Sequence, residues 1–292
     1  MRRLSSAAVA TLIVSMLQGT PPVSGGGGGS VYYLALGTSL AVGFQPGRGE
    51  TPNGYVDDLW RRMGQQIPSL GLRNVGCPGD TSRKMITGKH SLCDYAAGSQ
   101  LDAAVAFLEA HPGQVAFITI DVGAQDLVER CLENTGLIGR ACAVDLLPRL
   151  QSRLARIVDA LGTAAGPSVP IVAMTYYNQF LGLWGLIRGG RHLARADQRV
   201  WALLNAAFVT AYGDAGVTVA DVAATFRIDD FTHTVVLAGF GRLPLNVGRT
   251  CAWTWFCSKE FFGDPHPNAK GYGKVALTFE RELRRVLAGP LV

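Results

Sequence analysis

The chain reads as an α/β protein in which a mainly parallel, five-stranded sheet lies between layers of helix. Two observations predict it. First, residues 31–36, 115–120 and 169–175 are short, largely apolar runs with little polar alternation, and shorter strand-like runs occupy 72–75 and 217–222. Such runs suit strands buried on both faces, which is the situation of a parallel sheet. Second, the segments between them carry apolar residues at helical spacing, and parallel strands need helical crossovers of this kind. With 292 residues, 48% hydrophobic and 17% charged, the chain has enough apolar material for a large core and is not a disordered sequence.

Taken in order, residues 31–36 run into Gly37. The stretch 55–67 places Val56, Leu59, Trp60 and Met63 on one helical side, and the short run 72–75 stops at Gly76. Leu101, Ala104, Val105 and Leu108 give 99–110 a helical period. A β-branched run over 115–120 follows and ends near Gly123. Residues 146–161 predict a long amphipathic helix buried through Leu150, Leu154, Ile157, Val158 and Leu161. A strand over 169–175, a helix over 195–213, a fifth strand over 217–222 and a last helix over 269–287 complete the alternation. Segments 178–195 and 226–262 interrupt it. They are rich in Leu, Gly, Trp and Phe and read as long loops, not as a second domain.

In a parallel sheet, sites form beyond the carboxyl ends of the strands. Three strand ends carry polar groups here: Gly37-Thr38-Ser39, then the glycine-rich Asn74-Val75-Gly76-Cys77-Pro78-Gly79-Asp80-Thr81-Ser82, then Asp121-Val122-Gly123-Ala124-Gln125-Asp126. Gly263-Asp264-Pro265-His266-Pro267-Asn268 opens the last helix. That edge gathers a hydroxyl, glycine N–H groups, an amide and an imidazole, the parts that acyl transfer requires. Ser39 is the candidate nucleophile and His266 the candidate base. The Ser39 N–H, the Gly79 N–H and the Gln125 amide are candidate donors to an oxyanion. Each residue alone has a plainer reading: Ser39 and Gly79 as turn residues, and His266, like His90, His111, His192 and His233, as a loop histidine. Their order along the chain is what joins them.

The N-terminus reads as an export signal. Met1-Arg2-Arg3 precedes the apolar core of residues 7–17, which is too short to span a bilayer. Residues 1–24 are expected to form the signal peptide, 25–30 a glycine-rich tether, and 31–292 a single domain. An uncleaved anchor is the alternative, and otherwise no stable membrane span is expected. Export suits the six cysteines, which fall as the local couples Cys77/Cys93, Cys131/Cys142 and Cys251/Cys257. Many pairings are open to six cysteines, and neighbours in sequence are the expected ones. No CxxC or HxxxH spacing points to a metal. The formal charge is +5, of which Arg2 and Arg3 supply two, leaving +3. With no basic run interleaved with aromatics, nucleic acid is not an expected partner.

At the four blocks named above the sequence resembles the secreted bacterial SGNH (GDSL-type) hydrolases, from about residue 31 to the last helix. LALGTSLAVGF resembles the first family block, NVGCPGDTS the second, GAQD the third and DPHPNAKGY the last. The resemblance implies a three-layer α/β/α, flavodoxin-like fold and a serine esterase or lipase using no cofactor. It places the nucleophile at Ser39, the oxyanion hole at Ser39, Gly79 and Gln125, and the base at His266 with Asp264 as its carboxylate. The implied substrate is a small-molecule or lipid ester, met outside the cell, at its surface or in the periplasm. Three departures stand out. Thr38 replaces the family's Asp, Gln125 replaces its Asn, and Asp264 stands two residues before His266 instead of three, with Gly263 at the usual place. These departures keep a catalytically impaired binding protein open as an alternative, and an acyltransferase would use the same serine. The apolar segment of Phe180, Leu181, Leu183, Trp184, Leu186 and Ile187 is expected to line an acyl site, to form a lid or to cap the core.

Overall fold

The computed structural model describes residues 31–134 and 136–288. The expected signal peptide and glycine tether lie outside the described residues. The elements run β1 (Val31–Leu36), α1 (Tyr55–Met63), β2 (Leu70–Asn74), α2 (Ser82–Thr87), α3 (Gln100–Ala110), β3 (Val115–Ile120), α4 (Ala124–Cys131), α5 (Arg140–Ala165), β4 (Ile171–Met174), α6 (Leu183–Leu186), α7 (Gly190–Asp214), β5 (Thr218–Ala220), α8 (Val222–Phe226), β6 (Thr234–Leu237), β7 (Gly241–Pro244), α9 (Leu245–Trp253) and α10 (Ala269–Leu287).

The five main strands are parallel and ordered β2-β1-β3-β4-β5. From β1 the chain steps outward to β2, then returns across β1 to β3. Crossovers of one hand therefore put α1 on one face of the sheet and α3, α5 and α7 on the other. The packing follows: α1 lies against α10, while α5 lies between α3 and α7. Reversal between β1 and β3 makes their following loops diverge, and the divergence opens a crevice at the strand ends. The core on either side is continuous, from Tyr33, Leu34 and Leu36 of β1 to Phe279 and Leu283 of α10 and Leu150, Leu154 and Phe208 opposite.

Two segments differ from the sequence reading. Residues 226–262 are not a simple loop, because β6 and β7 pair antiparallel and α9 follows directly. The β-branched Val235 and Val236 give that hairpin strand character, and only its inner residues, such as Leu243, are buried. In 178–195, Gln179–Gly182 form a 3₁₀ turn, α6 adds one turn, and α7 begins at Gly190, ahead of the expected start. Helix α5 begins at Arg140, where the Cys131–Cys142 disulfide ties its first turn to α4, and it carries Pro148 internally. The other two disulfides join Cys77 to Cys93 and Cys251 to Cys257, again neighbours in sequence. Among the described residues no helix is long and apolar enough to cross a membrane.

Candidate active site

The first strand ends on a buried carboxylate. Thr38 donates to Asp121 Oδ1 through its N–H at 2.9 Å and through its hydroxyl at 2.7 Å, and Tyr55 OH donates to Oδ2 at 2.8 Å. Asp121 closes β3 and is fully buried. Gly37 is required here, since a Cβ at that position would lie 2.2 Å from Asp121 Oδ2. The Gly37 N–H donates to Gln100 Oε1 at 2.8 Å, and Gln100 Nε2 donates to Asp80 Oδ2 at 3.0 Å. Asp80 directly follows Gly79, so one amide of α3 links the turn after β1 to the glycine turn after β2. Behind these bonds Ser39 stands at the start of a tight turn closed by Phe44 N–H to Ser39 O at 2.9 Å.

Burial pushes the Asp121 carboxyl up to about 7, against the lowering effect of its Thr38 and Tyr55 hydrogen bonds. Burial likewise raises Asp197 to about 7. Both are protonated in the folded chain and ionised in the unfolded chain between pH about 4 and 7, so the folded state holds more protons in that window. The stability contributed by these two groups is then complete below pH about 4 and falls as pH rises to 7, by an amount on the order of a few kcal/mol. Asp121→Asn cannot ionise, and its amide can still accept from Thr38 and donate to Tyr55 OH. Its denaturation midpoint is expected to fall less between pH 4 and 7 than that of the unsubstituted chain, which guanidinium titrations at both pH values measure. Equal falls in the two proteins would contradict this account of Asp121.

The histidine comes from the loop before α10. His266 Nε2 lies 3.0 Å from Ser39 Oγ, and His266 Nδ1 lies 2.9 Å from Asp264 Oδ1. The same Asp264 oxygen accepts the His266 backbone N–H at 2.9 Å, an Asx-type turn that needs the carboxylate two residues before the histidine. The displaced spacing seen in the sequence thus puts one carboxylate oxygen on both nitrogens of His266. The loop is held by Trp255 N–H to His266 O at 2.9 Å, by Tyr177 OH to Pro265 O at 2.8 Å and by the Phe44 ring, 4.6 Å from the imidazole. Asn268 then caps α10 by accepting from Lys270 and Gly271 N–H.

Ser39, His266 and Gln125 open into one cavity of about 310 Å³, whose remaining wall includes Leu40, Val128, Tyr176, Phe180, Trp201 and Phe256. Gln125 sits in the first turn of α4, and neither its amide nor the Ser39 N–H has a hydrogen-bond partner among the described residues. Gly79 is placed differently. It does not line that cavity, its φ of +74° suits a residue without a side chain, and its N–H is also unpartnered among the described residues. Asp126, beside Gln125, accepts from Ser82 N–H at 2.7 Å and Ser82 Oγ at 2.6 Å, so α4 and the start of α2 hold each other. Of the apolar segment after β4, only Phe180 reaches the cavity. Leu181 is fully buried and Trp184 stacks beside Phe231 and Arg195, so most of that segment caps the core.

The sequence reading names Asp121 at the end of the third strand but gives it no part in the site, and it does not name Gln100. Asp121 ends an apolar strand and Gln100 opens a helix behind the Ser99 cap, both ordinary positions in a sequence. The one available signal is at Asp121, a polar residue between the apolar Ile120 and Val122, since a buried polar group needs a partner; Gln100, between Ser99 and Leu101, carries no such signal.

A family model described as GDSL-like Lipase/Acylhydrolase matches residues 35–274. No curated protein matches the chain. Among solved structures, an extracellular lipase from Streptomyces rimosus superposes with a TM-score of 0.55 at 17% identity, over 88% of this chain and 99% of that one. Phospholipase A1 from Streptomyces albidoflavus gives 0.52 at 18% identity over 86% and 99% of the two chains. A psychrotrophic esterase from Pseudoalteromonas gives 0.50 at 15% identity over 88% and 99%. Identities this low speak for the shared fold.

Proposed function

Because the chain belongs to the GDSL-like lipase/acylhydrolase family, we propose that it is a hydrolase of carboxylic esters, working through an acyl-enzyme on Ser39. The observation that carries this reading is the run of contacts Asp264–His266–Ser39, at 2.9 and 3.0 Å. Asp264 accepts from Nδ1–H and so leaves Nε2 free to take the Ser39 proton as Oγ attacks the carbonyl. The tetrahedral oxyanion meets the unpartnered N–H of Ser39 and the amide of Gln125, which open into the cavity. The third donor that the family resemblance implies is the N–H of Gly79, in the glycine turn outside the cavity wall. His266 then hands its proton to the leaving alcohol, and water drawn on by the same imidazole releases the acid. The apolar wall of Leu40, Val128, Phe180 and Phe256 suits the acyl half of the ester. Three disulfides and the signal-like sequence of residues 1–24 support export, to a place outside the reducing cytoplasm.

The test is turnover of p-nitrophenyl esters of graded acyl length by the purified chain, with Gln125→Ala alongside. The expected result is hydrolysis by the unsubstituted protein and a loss of about a hundred- to a thousandfold in kcat for Gln125→Ala, with KM little changed. A loss confined to KM would remove Gln125 from the oxyanion hole, and no turnover of any ester would count against the hydrolase reading.

A further inference from the structure

Next to the His266 loop lies a second concavity of different chemistry. It encloses about 560 Å³, and Gln45, Arg48, Asn53, Trp255, Glu260 and Phe261 stand in its wall. It borders the backbone of the His266 loop and shares no wall residue with the Ser39 cavity: Gln45 follows Phe44, whose ring packs on the imidazole, and Gln45 Nε2 donates to Pro267 O at 3.2 Å. Trp255, whose own N–H holds His266 O, is fixed in place because its indole N–H donates to Gln45 Oε1 at 2.9 Å and Phe261 meets its ring edge-on at 5.4 Å. The polar ends of Arg48, Asn53 and Glu260 are exposed and make no ion pair or side-chain hydrogen bond among the described residues.

A rigid aromatic surface ringed by an unpaired guanidinium, an amide and a carboxylate offers donors and acceptors around an apolar face. That set fits a polyhydroxylated ring. Arg48 and Glu260 cancel in charge, so the wall favours a neutral ligand over an ion, and an alkyl chain would desolvate three polar ends without pairing them. The position matters as much as the composition. His266 gives its proton to the leaving oxygen, so the alcohol half of the ester lies on the histidine side while the acyl half lies in the apolar cavity with Ser39 and Gln125. We infer that this concavity is the alcohol subsite, that the alcohol it takes is a neutral sugar, and that the substrate is therefore an acyl ester of a carbohydrate. The inference rests on the ester-hydrolase reading above.

Two measurements test it. The ratio of kcat/KM for 6-O-octanoyl methyl glucoside to that for ethyl octanoate is compared in the unsubstituted chain, in Trp255→Ala and in the Arg48→Ala/Asn53→Ala pair, whose exposed side chains leave the loop bonds intact. The expected result is a ratio above one that falls about tenfold in each variant, the equivalent of about 1.4 kcal/mol. A ratio unchanged in both variants would overturn the subsite. Separately, Ser39→Ala is titrated with methyl glucoside, methyl galactoside and xylobiose while tryptophan fluorescence is followed. Saturable quenching that the Arg48→Ala/Asn53→Ala pair weakens supports the subsite even if no ester is hydrolysed. Absence of quenching by all three sugars counts against it even if esters are hydrolysed.

Discussion

Ser39→Ala is expected to lower ester turnover by at least about ten-thousandfold, because it removes the atom that forms the acyl-enzyme and leaves only binding and oxyanion stabilisation. The fold should not notice. The Ser39 hydroxyl makes its one side-chain contact with His266, and the turn around it is held by backbone bonds and by the Thr38–Asp121 pair. A surface-type change of this kind leaves stability within about 0.5 kcal/mol. Steady-state kinetics and thermal unfolding together check this. Activity retained within tenfold would move the nucleophile elsewhere, and a loss accompanied by unfolding would say nothing special of the hydroxyl.

The second large effect belongs to Asp264. Asp264→Asn is expected to lower kcat by about ten-thousandfold with little change in KM. The amide oxygen can still accept the His266 backbone N–H and preserve the turn. Yet the carboxylate that fixes the Nδ1–H tautomer and stabilises the imidazolium is gone. Asp264→Ala should cost at least as much and should also loosen the loop, since both bonds to Asp264 Oδ1 are lost. Kinetics of the two variants, with the histidine tautomer followed by nitrogen NMR, decide the matter. If Asp264→Asn kept near-full kcat, the backbone of the loop and not the side chain would be orienting His266.

How much of this was legible in the sequence depends on how local each feature is. The inner strands β1, β3 and β4 could be read because burial on both faces makes them apolar over most of their length, a property of consecutive residues. The edge strands β2 and β5 are part-exposed and carry polar residues, so they could be read only from their place in the alternation. Ser39, Gln125 and His266 could be placed because each follows a strand or opens a helix, and topology brings such positions to one edge. The hairpin over β6 and β7 could not, because its strands are four residues each and half exposed, too short for a buried pattern to show. Nor could Asp121 and Gln100 be assigned, since their partners lie 83 and 63 residues away and no spacing announces them. The departures in the sequence also acquire physical sense. Where the resembled family carries Asp next to its serine, this chain has Thr38 bonded to the Asp121 carboxyl group that follows β3, so a carboxyl group still stands beneath the nucleophile turn. The two-residue step from Asp264 to His266 is the step that an Asx turn uses.

The central claim is that Ser39 is an activated nucleophile. Fluorophosphonate labelling of the purified chain, read by intact mass and peptide mapping, tests it without a chosen substrate. The account predicts one adduct per chain, on Ser39, absent from Ser39→Ala and strongly slowed in Asp264→Asn. No adduct under conditions that label a known serine esterase, or an adduct mapped to another residue, would contradict it.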